Sequence, residues 1–430
     1  MTYSEAVAFL YQQLPAYQRV GRSAYKADLT NIRRLVAHLG NPHERFPAVH
    51  IAGTNGKGSS AHCLAAILQS AGYRTGLYTS PHLKSFTERI RIDGREISEE
   101  AVANFVLRHQ KLIAQLSPSF FELTVAMAFQ HFAQHQVDIA VVEVGLGGRL
   151  DSTNIITPVV SLITNIDYDH TDILGETLPE IAGEKAGIIK AGVPVVVGQR
   201  HPATEAVFQR VAEQREARLI YAEDYYQLVD TEEEAEGQQL RITHRHTQQE
   251  LNLLVTLRGS YQWPNVRGVL SVVDLLREQG WRISAAAVRT GLAHVSELTG
   301  LKGRWQVLGY RPLRIADTGH NIAAWHLAIE QLARYGAKRY HFVLGVTQGK
   351  DLEGLLRLLP RDGKYYFCQA AIPRALPAVD LAAAAKKYAL AGEVIEDVQK
   401  AYEQACRQAL PDELVWVGGS SFVVAELSAL

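Results

Sequence analysis

Gly53-Thr54-Asn55-Gly56-Lys57-Gly58-Ser59 stands between a short apolar run, Ala48 to Ile51, and a helical stretch from about Ser59 to Ala71 that Gly72 closes. Strand, glycine loop and helix, in that order, form the setting of a phosphate loop. Successive backbone N–H groups of such a loop point inward, and the following helix adds its positive N-terminal end. Glycines let the backbone approach closely, and Lys57 brings a mobile charge to the outer phosphates. These seven residues therefore read as an ATP site. Two positions depart from the usual G-x-x-x-x-G-K-[ST] pattern. Ile51 stands where its first glycine would, and Gly58 follows the lysine, which moves the hydroxyl expected on magnesium to Ser59.

Further apolar runs follow at Ile139 to Val144, Val159 to Thr164 and Pro194 to Val197, with helical stretches between them, clearest at Glu99 to Leu116 and Phe121 to His135. Buried strands alternating with helices predict an α/β fold with a mostly parallel sheet. The first 46 residues read as helical, with Ala24 to Leu39 the best patterned part. Glu223 to Leu257 reads as polar hairpins, an excursion at the sheet edge. From Arg304 the alternation restarts, at Leu313 to Ala316, His341 to Leu344, Tyr365 to Cys368, Val394 to Ile395 and Leu414 to Val417. Gly300 and Gly303 break the pattern between the two series. The expected division is an ATP-binding domain over residues 1–296 and a smaller, Rossmann-like α/β domain over 297–430.

The chain has 430 residues, too many for one core, and Lys+Arg 44 against Asp+Glu 45 leaves almost no net charge. That balance argues against a protein that coats nucleic acid or an anionic membrane. The three cysteines show no paired spacing, Met1 to Leu14 lacks the pattern of a signal peptide, and no apolar run approaches the ~20 residues of a membrane span. The expectation is a cytoplasmic enzyme, monomeric by default, with small-molecule partners.

Glu143 ends the strand Ile139-Ala-Val-Val-Glu143, and a carboxylate at a strand tip beside a phosphate loop suits a magnesium ligand. A solvated strand-end acid is the plain alternative. Lys185, in Ile181-Ala-Gly-Glu-Lys185-Ala-Gly, reads on composition alone as an ordinary exposed helical lysine. Phe120 and Phe121 open a helix; flat rings there suit stacking against a pterin, while simple helix-start packing is the other reading.

The loop G-T-N-G-K-G-S resembles that of the folylpolyglutamate synthase and dihydrofolate synthase family, relatives of the Mur ligases, which usually carry a hydroxyl directly after the lysine. Later segments resemble the same family in the same order, from about Val49 to Ala425. Glu143 to Asn154 matches E-V-G-L-G-G-R-L-D-x-T-N, and Asp169-His170 through Leu174-Gly175 matches D-H-x-x-x-L-G. Glu184-Lys185-Ala-Gly-Ile matches E-K-A-G-I. By that resemblance Ser59, Glu143 and His170 hold magnesium. Lys185 carries a carboxyl group from carbon dioxide that holds a second ion, which requires a partly buried amine of lowered pKa.

The resemblance also implies folate contacts from Ser80, Pro81 and His82, from Phe121 and Thr124, and from Asp151, a dihydropteroate contact. Gly259-Ser-Tyr-Gln-Trp-Pro-Asn265 resembles G-x-H-Q-x-x-N, with tyrosine for histidine, and implies Asn265 at the adenine. Gly303-Arg304 implies Arg304 at the phosphates. Asp317-Thr-Gly-His320-Asn resembles D-G-A-H-N and implies Asp317 at the ribose and His320 at the incoming glutamate. Gly418-Gly-Ser420 resembles T-G-S and implies Ser420 at glutamate. The implied catalytic set is Lys57, Lys185 and His320.

The activity this implies is ATP-dependent ligation of L-glutamate to tetrahydrofolate, and to dihydropteroate, through an acyl phosphate, within folate biosynthesis and one-carbon metabolism. Closure of the two domains would then belong to turnover. Two rivals remain. A Mur-type ligase of peptidoglycan precursors would need a nucleotide domain for which about fifty residues before Gly53 are too few. A non-ligating nucleotide switch leaves the second α/β domain without a purpose.

Overall fold

Apolar runs too short for helices become buried parallel strands. The computed structural model describes residues 1–14, 28–234 and 236–430. It divides into two units, Met1–Leu257 with Gln262–Leu301, and Arg258–Tyr261 with Lys302–Leu430. Of the helix expected over Ala24 to Leu39, residues 24–27 lie outside the described residues; the observed α2 (Thr30–His38) starts later, after the non-helical Leu29. It is preceded by α1 (Tyr3–Gln13), whose Thr2–Glu5 capping box satisfies its first amides.

The first unit is built on an eight-stranded sheet: β1 (Ala48–Ala52), β2 (Thr75–Tyr78), β3 (Ile90–Ile92), β4 (Arg95–Glu96), β5 (Ile139–Glu143), β6 (Val160–Ile163), β7 (Val195–Val197) and β8 (Leu219–Tyr221). The order is β4-β3-β2-β5-β1-β6-β7-β8, parallel except at β3 and β4. Successive side chains on a strand point to opposite faces, so both faces need cover. On one side Val49, Ile51, Val141 and Leu162 pack with Leu64 and Ile67 of α3 (Lys57–Ser70). On the other, Ala48, Ala140 and Val142 meet α4 (Glu99–Leu116) and α5 (Phe120–Gln134) through Val106, Phe129 and Phe132. Ala52, Ile163 and Val197 pack with α7 (Leu178–Ala186), which follows the single turn α6 (Thr171–Leu174), and with α8 (Pro202–Gln214).

The hairpins expected at the sheet edge form a separate antiparallel sheet, β9 (Tyr226–Glu233), β10 (Gln238–His244) and β11 (Glu250–Val255). The reason is its alternation: Leu240, Ile242, Leu253 and Val255 line one face. That face joins Val269, Val273 and Leu276 of α9 (Gln262–Glu278) and Leu292 of α10 (Ala285–Ala293), instead of extending the main sheet. The short α11 (Val295–Thr299) closes the unit at Gly300, whose positive φ of 69° ends the turn.

The second unit carries a six-stranded sheet of β12 (Gln306–Gly309), β13 (Leu313–Ala316), β14 (Tyr340–Leu344), β15 (Lys364–Phe367), β16 (Gly392–Val394) and β17 (Leu414–Gly418), in the order β12-β13-β17-β14-β15-β16. Only β12 is antiparallel. Its two cores, one around Trp305, Trp325 and Trp416 and one around Val343, Tyr366 and Val417, lie on opposite faces of the strands. α12 (Ile322–Ala333), α13 (Leu352–Arg357) and α14 (Ala378–Lys386) contribute to the first, and α15 (Val398–Gln408) and α16 (Ser421–Ala425) to the second. Among the described residues no helix is long and apolar enough to cross a membrane.

The three-stranded sheet packs through its buried apolar face, and the Tyr226 hydroxyl adds a hydrogen bond to Asp274 of α9 at 2.6 Å. Leu253→Ala is expected to lower unfolding stability by roughly 2–5 kcal/mol, and Val229→Ala, on an exposed position, by less than about 0.5 kcal/mol. Urea denaturation of both variants measures the difference.

Candidate active site

β1 runs between β5 and β6, so the carboxyl ends of three parallel strands meet, and the glycine loop leaves the middle one. Such ends are where ligands gather in parallel sheets. Gly53 has φ 148° and Gly56 φ 81°, conformations that side-chain-bearing residues rarely adopt. A Cβ on Gly53 would lie 1.8 Å from Thr164 Oγ1, and one on Gly56 2.0 Å from Asn265 Oδ1. The loop is held from outside by the segment after β6. Thr164 Oγ1 donates to Asn55 O at 2.6 Å, Asn55 N donates to Asn165 Oδ1 at 2.8 Å, and Thr54 N donates to Asn165 O at 3.0 Å. Thr54 Oγ1 accepts from Asp167 N at 3.0 Å and lies 3.1 Å from Asp167 O.

α3 starts at Lys57, and its N-cap residue is Gly56, which has no side chain to cap the first turn. A helix N-terminus behind a backbone shaped this way suits a phosphate. Lys57 Nζ donates to Gly53 O at 2.9 Å and Thr54 O at 3.0 Å, within the loop itself. Ser59 is buried on the first turn of α3.

Lys185, expected to be exposed on composition, is 3% exposed. It sits on the inward face of α7, and its Nζ donates to Gly53 O at 3.0 Å, the same oxygen that Lys57 reaches. Burial first, and the Lys57 charge second, lower its pKa from 10.5 to about 7, against partial opposition from Asp169, Asp151 and Glu184. The neutral amine required for carboxylation is therefore well populated near neutral pH.

Glu143 closes β5, is buried, and accepts from Ser80 N at 2.9 Å. That bond ties it to the Ser80-Pro81-His82 loop, whose Ser80–Pro81 peptide is cis. His170 caps α6 with φ 49°, its Nε2 3.8 Å from Asp169 Oδ2. His82 accepts from Arg89 Nε at 2.8 Å on Nδ1, so its neutral ring carries hydrogen on Nε2 and donates to Tyr11 Oη at 3.1 Å. Burial and Arg89 push the His82 pKa down to about 3.

Phe120, expected at an open helix tip, is buried, stacked on Tyr11 at 4.9 Å and under the Arg89 guanidinium at 5.2 Å. Phe121 is partly open and lies against Gly145, where a Cβ would meet its ring at 2.3 Å. Thr124 is buried and its hydroxyl donates to Phe120 O at 2.7 Å.

Asp151 is buried and serves its own loop. It accepts from Leu146 N at 2.8 Å, Thr153 N at 2.9 Å and Thr153 Oγ1 at 2.5 Å. Burial raises its pKa, and these bonds oppose that rise. Thr153 has given its only hydrogen to Asp151, so it accepts from His50 Nε2 at 2.8 Å. His50, like Thr164 and Asn165, escaped sequence reasoning, although all three lie on or after strands that feed the loop. Asn265 Nδ2 donates to Gln262 Oε1 at 2.9 Å at the start of α9.

In the second unit the residues expected at ribose and glutamate share one turn. Asp317 Oδ2 accepts from Trp305 N at 2.9 Å and Tyr261 Oη at 3.1 Å, and its Oδ1 accepts from Gly319 N at 2.8 Å. Arg304 is half-buried between Gly303, φ 68°, and Trp305, φ 47°. Gly303 O accepts from Thr318 N and Oγ1, at 3.1 Å and 3.0 Å, which closes this turn onto the 317–320 segment. His320 Nδ1 lies 3.2 Å from Thr318 O; a carbonyl only accepts, so Nδ1 carries the hydrogen and Nε2 is the basic nitrogen. Ser420 is buried, caps α16 by accepting from Phe422 N at 3.2 Å, and follows Gly419, φ 98°.

Comparison with known proteins shows the family. The Mur ligase middle domain matches residues 51–273, and the Mur ligase glutamate ligase domain matches 303–421. A curated relative from Haloferax volcanii, a probable bifunctional folylpolyglutamate synthase/dihydropteroate synthase, is 33% identical over 99% of this chain, which spans 50% of that relative's length. The dihydrofolate synthase/folylpolyglutamate synthase of Bacillus subtilis is 34% identical over 83% of this chain and 84% of its own. A solved bifunctional folylpolyglutamate synthase/dihydrofolate synthase with Mn, AMPPNP and L-glutamate bound superposes with a TM-score of 0.83. It is 30% identical and covers 99% of this chain and 97% of its own.

The room around Gly56 fixes a prediction. Gly56→Ala forces its Cβ against Asn265 and is expected to weaken ATP binding at least tenfold, with α3 intact by circular dichroism. Calorimetric titration with ATP measures it, and an unchanged affinity would show that the loop does not hold the nucleotide.

Proposed function

The chain belongs to the folylpolyglutamate synthase/dihydrofolate synthase family of the Mur ligase superfamily, and from that premise we propose that it is an ATP-dependent ligase joining L-glutamate to a folate and to dihydropteroate. The observation that carries the reading is the phosphate cradle at Gly53–Ser59, with Lys57 and the buried Lys185 drawn onto one carbonyl oxygen. The relatives that join dihydrofolate synthase to folylpolyglutamate synthase support the substrates and the bifunctional form.

A carboxylate is a poor electrophile, because its leaving group would be oxide. Transfer of the ATP γ-phosphate to the acceptor's carboxylate gives an acyl phosphate that an amine can attack. The α3 amides and Lys57 stabilise the charge that accumulates on the phosphates during transfer. In this reading Asn265 lies at the adenine, Asp317 at the ribose and Arg304 at the phosphates.

The donor set of Ser59, Glu143 and His170 (hydroxyl, carboxylate and imidazole) fits a divalent ion, as the manganese of the solved relative supports. Magnesium held there would neutralise phosphate charge. A carboxyl group on Lys185 would convert a buried cation into an oxygen donor for a second ion.

Glutamate, held by Ser420 and His320, must attack as a neutral amine. His320 Nε2 is the nitrogen assigned to take its proton. The acceptor lies along Ser80, Pro81 and His82, with Phe121 as its stacking face. Thr124 and Asp151 complete that site in this reading, Thr124 bonded to Phe120 O and Asp151 to Thr153.

Two outcomes are expected. Glutamate-dependent ADP release should occur with dihydropteroate and, separately, with tetrahydrofolate; silence with dihydropteroate alone would remove the bifunctional reading, and silence with both would remove the ligase reading. Lys185 carboxylation should follow the neutral amine. Its pKa is lowered to about 7, so the modification is favoured above that pH and lost as the amine protonates below it. A carbamate signal in ¹³C NMR with labelled bicarbonate should therefore fade below pH ~7 and be missing in Lys185→Gln.

A further inference from the structure

A cavity of about 210 Å³ opens between α4 and α5, lined by none of the residues assigned above. Its polar wall consists of Asn104, Arg108 and His109 from α4 and Gln130, His131 and Gln134 from α5. Phe105 and Met127 form part of an apolar floor. No carboxylate lines it, and Arg108 makes no ion pair among the described residues.

The surroundings reinforce that imbalance. His38 of α2 meets His109 edge-on at 6.2 Å, and His135 lies 4.2 Å from His131, ring to ring. His109 is pushed down by burial first, then by His38 and Arg108. His131 is pushed down to about 4 by burial and then by His135. No acidic group pulls either one up. One guanidinium and two neutral imidazoles thus line a cavity that has no carboxylate among its lining residues and is rimmed by amides that can donate.

We propose that this cavity binds a small oxyanion, a phosphate or a carboxylate, with Arg108 as its charged anchor and the Asn104, Gln130 and Gln134 amides and the two imidazoles as donors. A guanidinium supplies paired N–H groups that match the oxygens of either anion. The volume is below the roughly 300–1,000 Å³ of pockets that enclose larger ligands, which favours a small anion. The cavity shares no residue with the phosphate loop, so the proposal stands or falls apart from the ligase reading.

The test uses the full chain saturated with magnesium and ADP, so that the phosphate loop is filled. Inorganic phosphate and, separately, glutarate are titrated at constant ionic strength while the ring signals of His109 and His131 are followed by NMR. Saturable shifts of both histidines are expected with at least one anion, and the anion that responds identifies the source. Arg108→Gln, at an exposed position, should raise the Kd tenfold or more, and His131→Asn should weaken binding independently. The proposal is overturned if neither anion gives a saturable shift, or if both variants bind as the parent does.

Discussion

The carbonyl oxygen of Gly53 accepts from two lysine amines, Lys57 at 2.9 Å and Lys185 at 3.0 Å. Two ammonium groups sharing one oxygen repel each other, and the repulsion is largest where water is excluded. Lys185, buried on α7, is the one driven toward neutrality. The arrangement exists only because Gly53 turns with φ 148° at the end of β1, packed so closely on Thr164 that no side chain fits. The crowded oxygen thus follows from the strand order and the glycine conformation, and the altered lysine chemistry follows from the crowded oxygen.

Much of this was legible in the sequence, and the limits have physical causes. The strands were visible because a strand buried on both faces reads as an unbroken apolar run; β1, β5 and β6 lie within a residue or two of their expected bounds. The loop was visible because glycine at a strand-to-helix junction is costly without a purpose. Lys185 was invisible in composition, since burial of a helical lysine depends on which face the helix presents, and a resemblance alone pointed to it. Thr164 and Asn165 reach the loop from a strand more than a hundred residues away, and no local spacing carries that. The separate sheet of β9–β11 was misplaced because its apolar face is matched by α9 and α10, which come later in the chain.

Two carboxylates expected at ligands also organise their own loops. Asp151 gathers Leu146 and Thr153, and through Thr153 it is joined to His50 on β1. Asp317 gathers Trp305, Gly319 and Tyr261. A buried carboxylate that accepts several backbone amides fixes a turn that would otherwise sample many conformations. Preorganisation of this kind lets a site meet its ligand without first ordering itself.

Tyr261 reaches Asp317 from a four-residue segment, Arg258–Tyr261, that belongs to the second unit while the chain on either side belongs to the first. Its ring also meets Trp305 at 6.2 Å. The second unit is therefore not one continuous stretch of polypeptide. A gene fragment beginning at Lys302 would encode all six strands of its sheet yet omit the phenol that completes the Asp317 turn. For recombination between relatives, the natural seam is not the single junction at Leu301 but three junctions, and a graft that respects only that one exchanges a domain without four of its own residues.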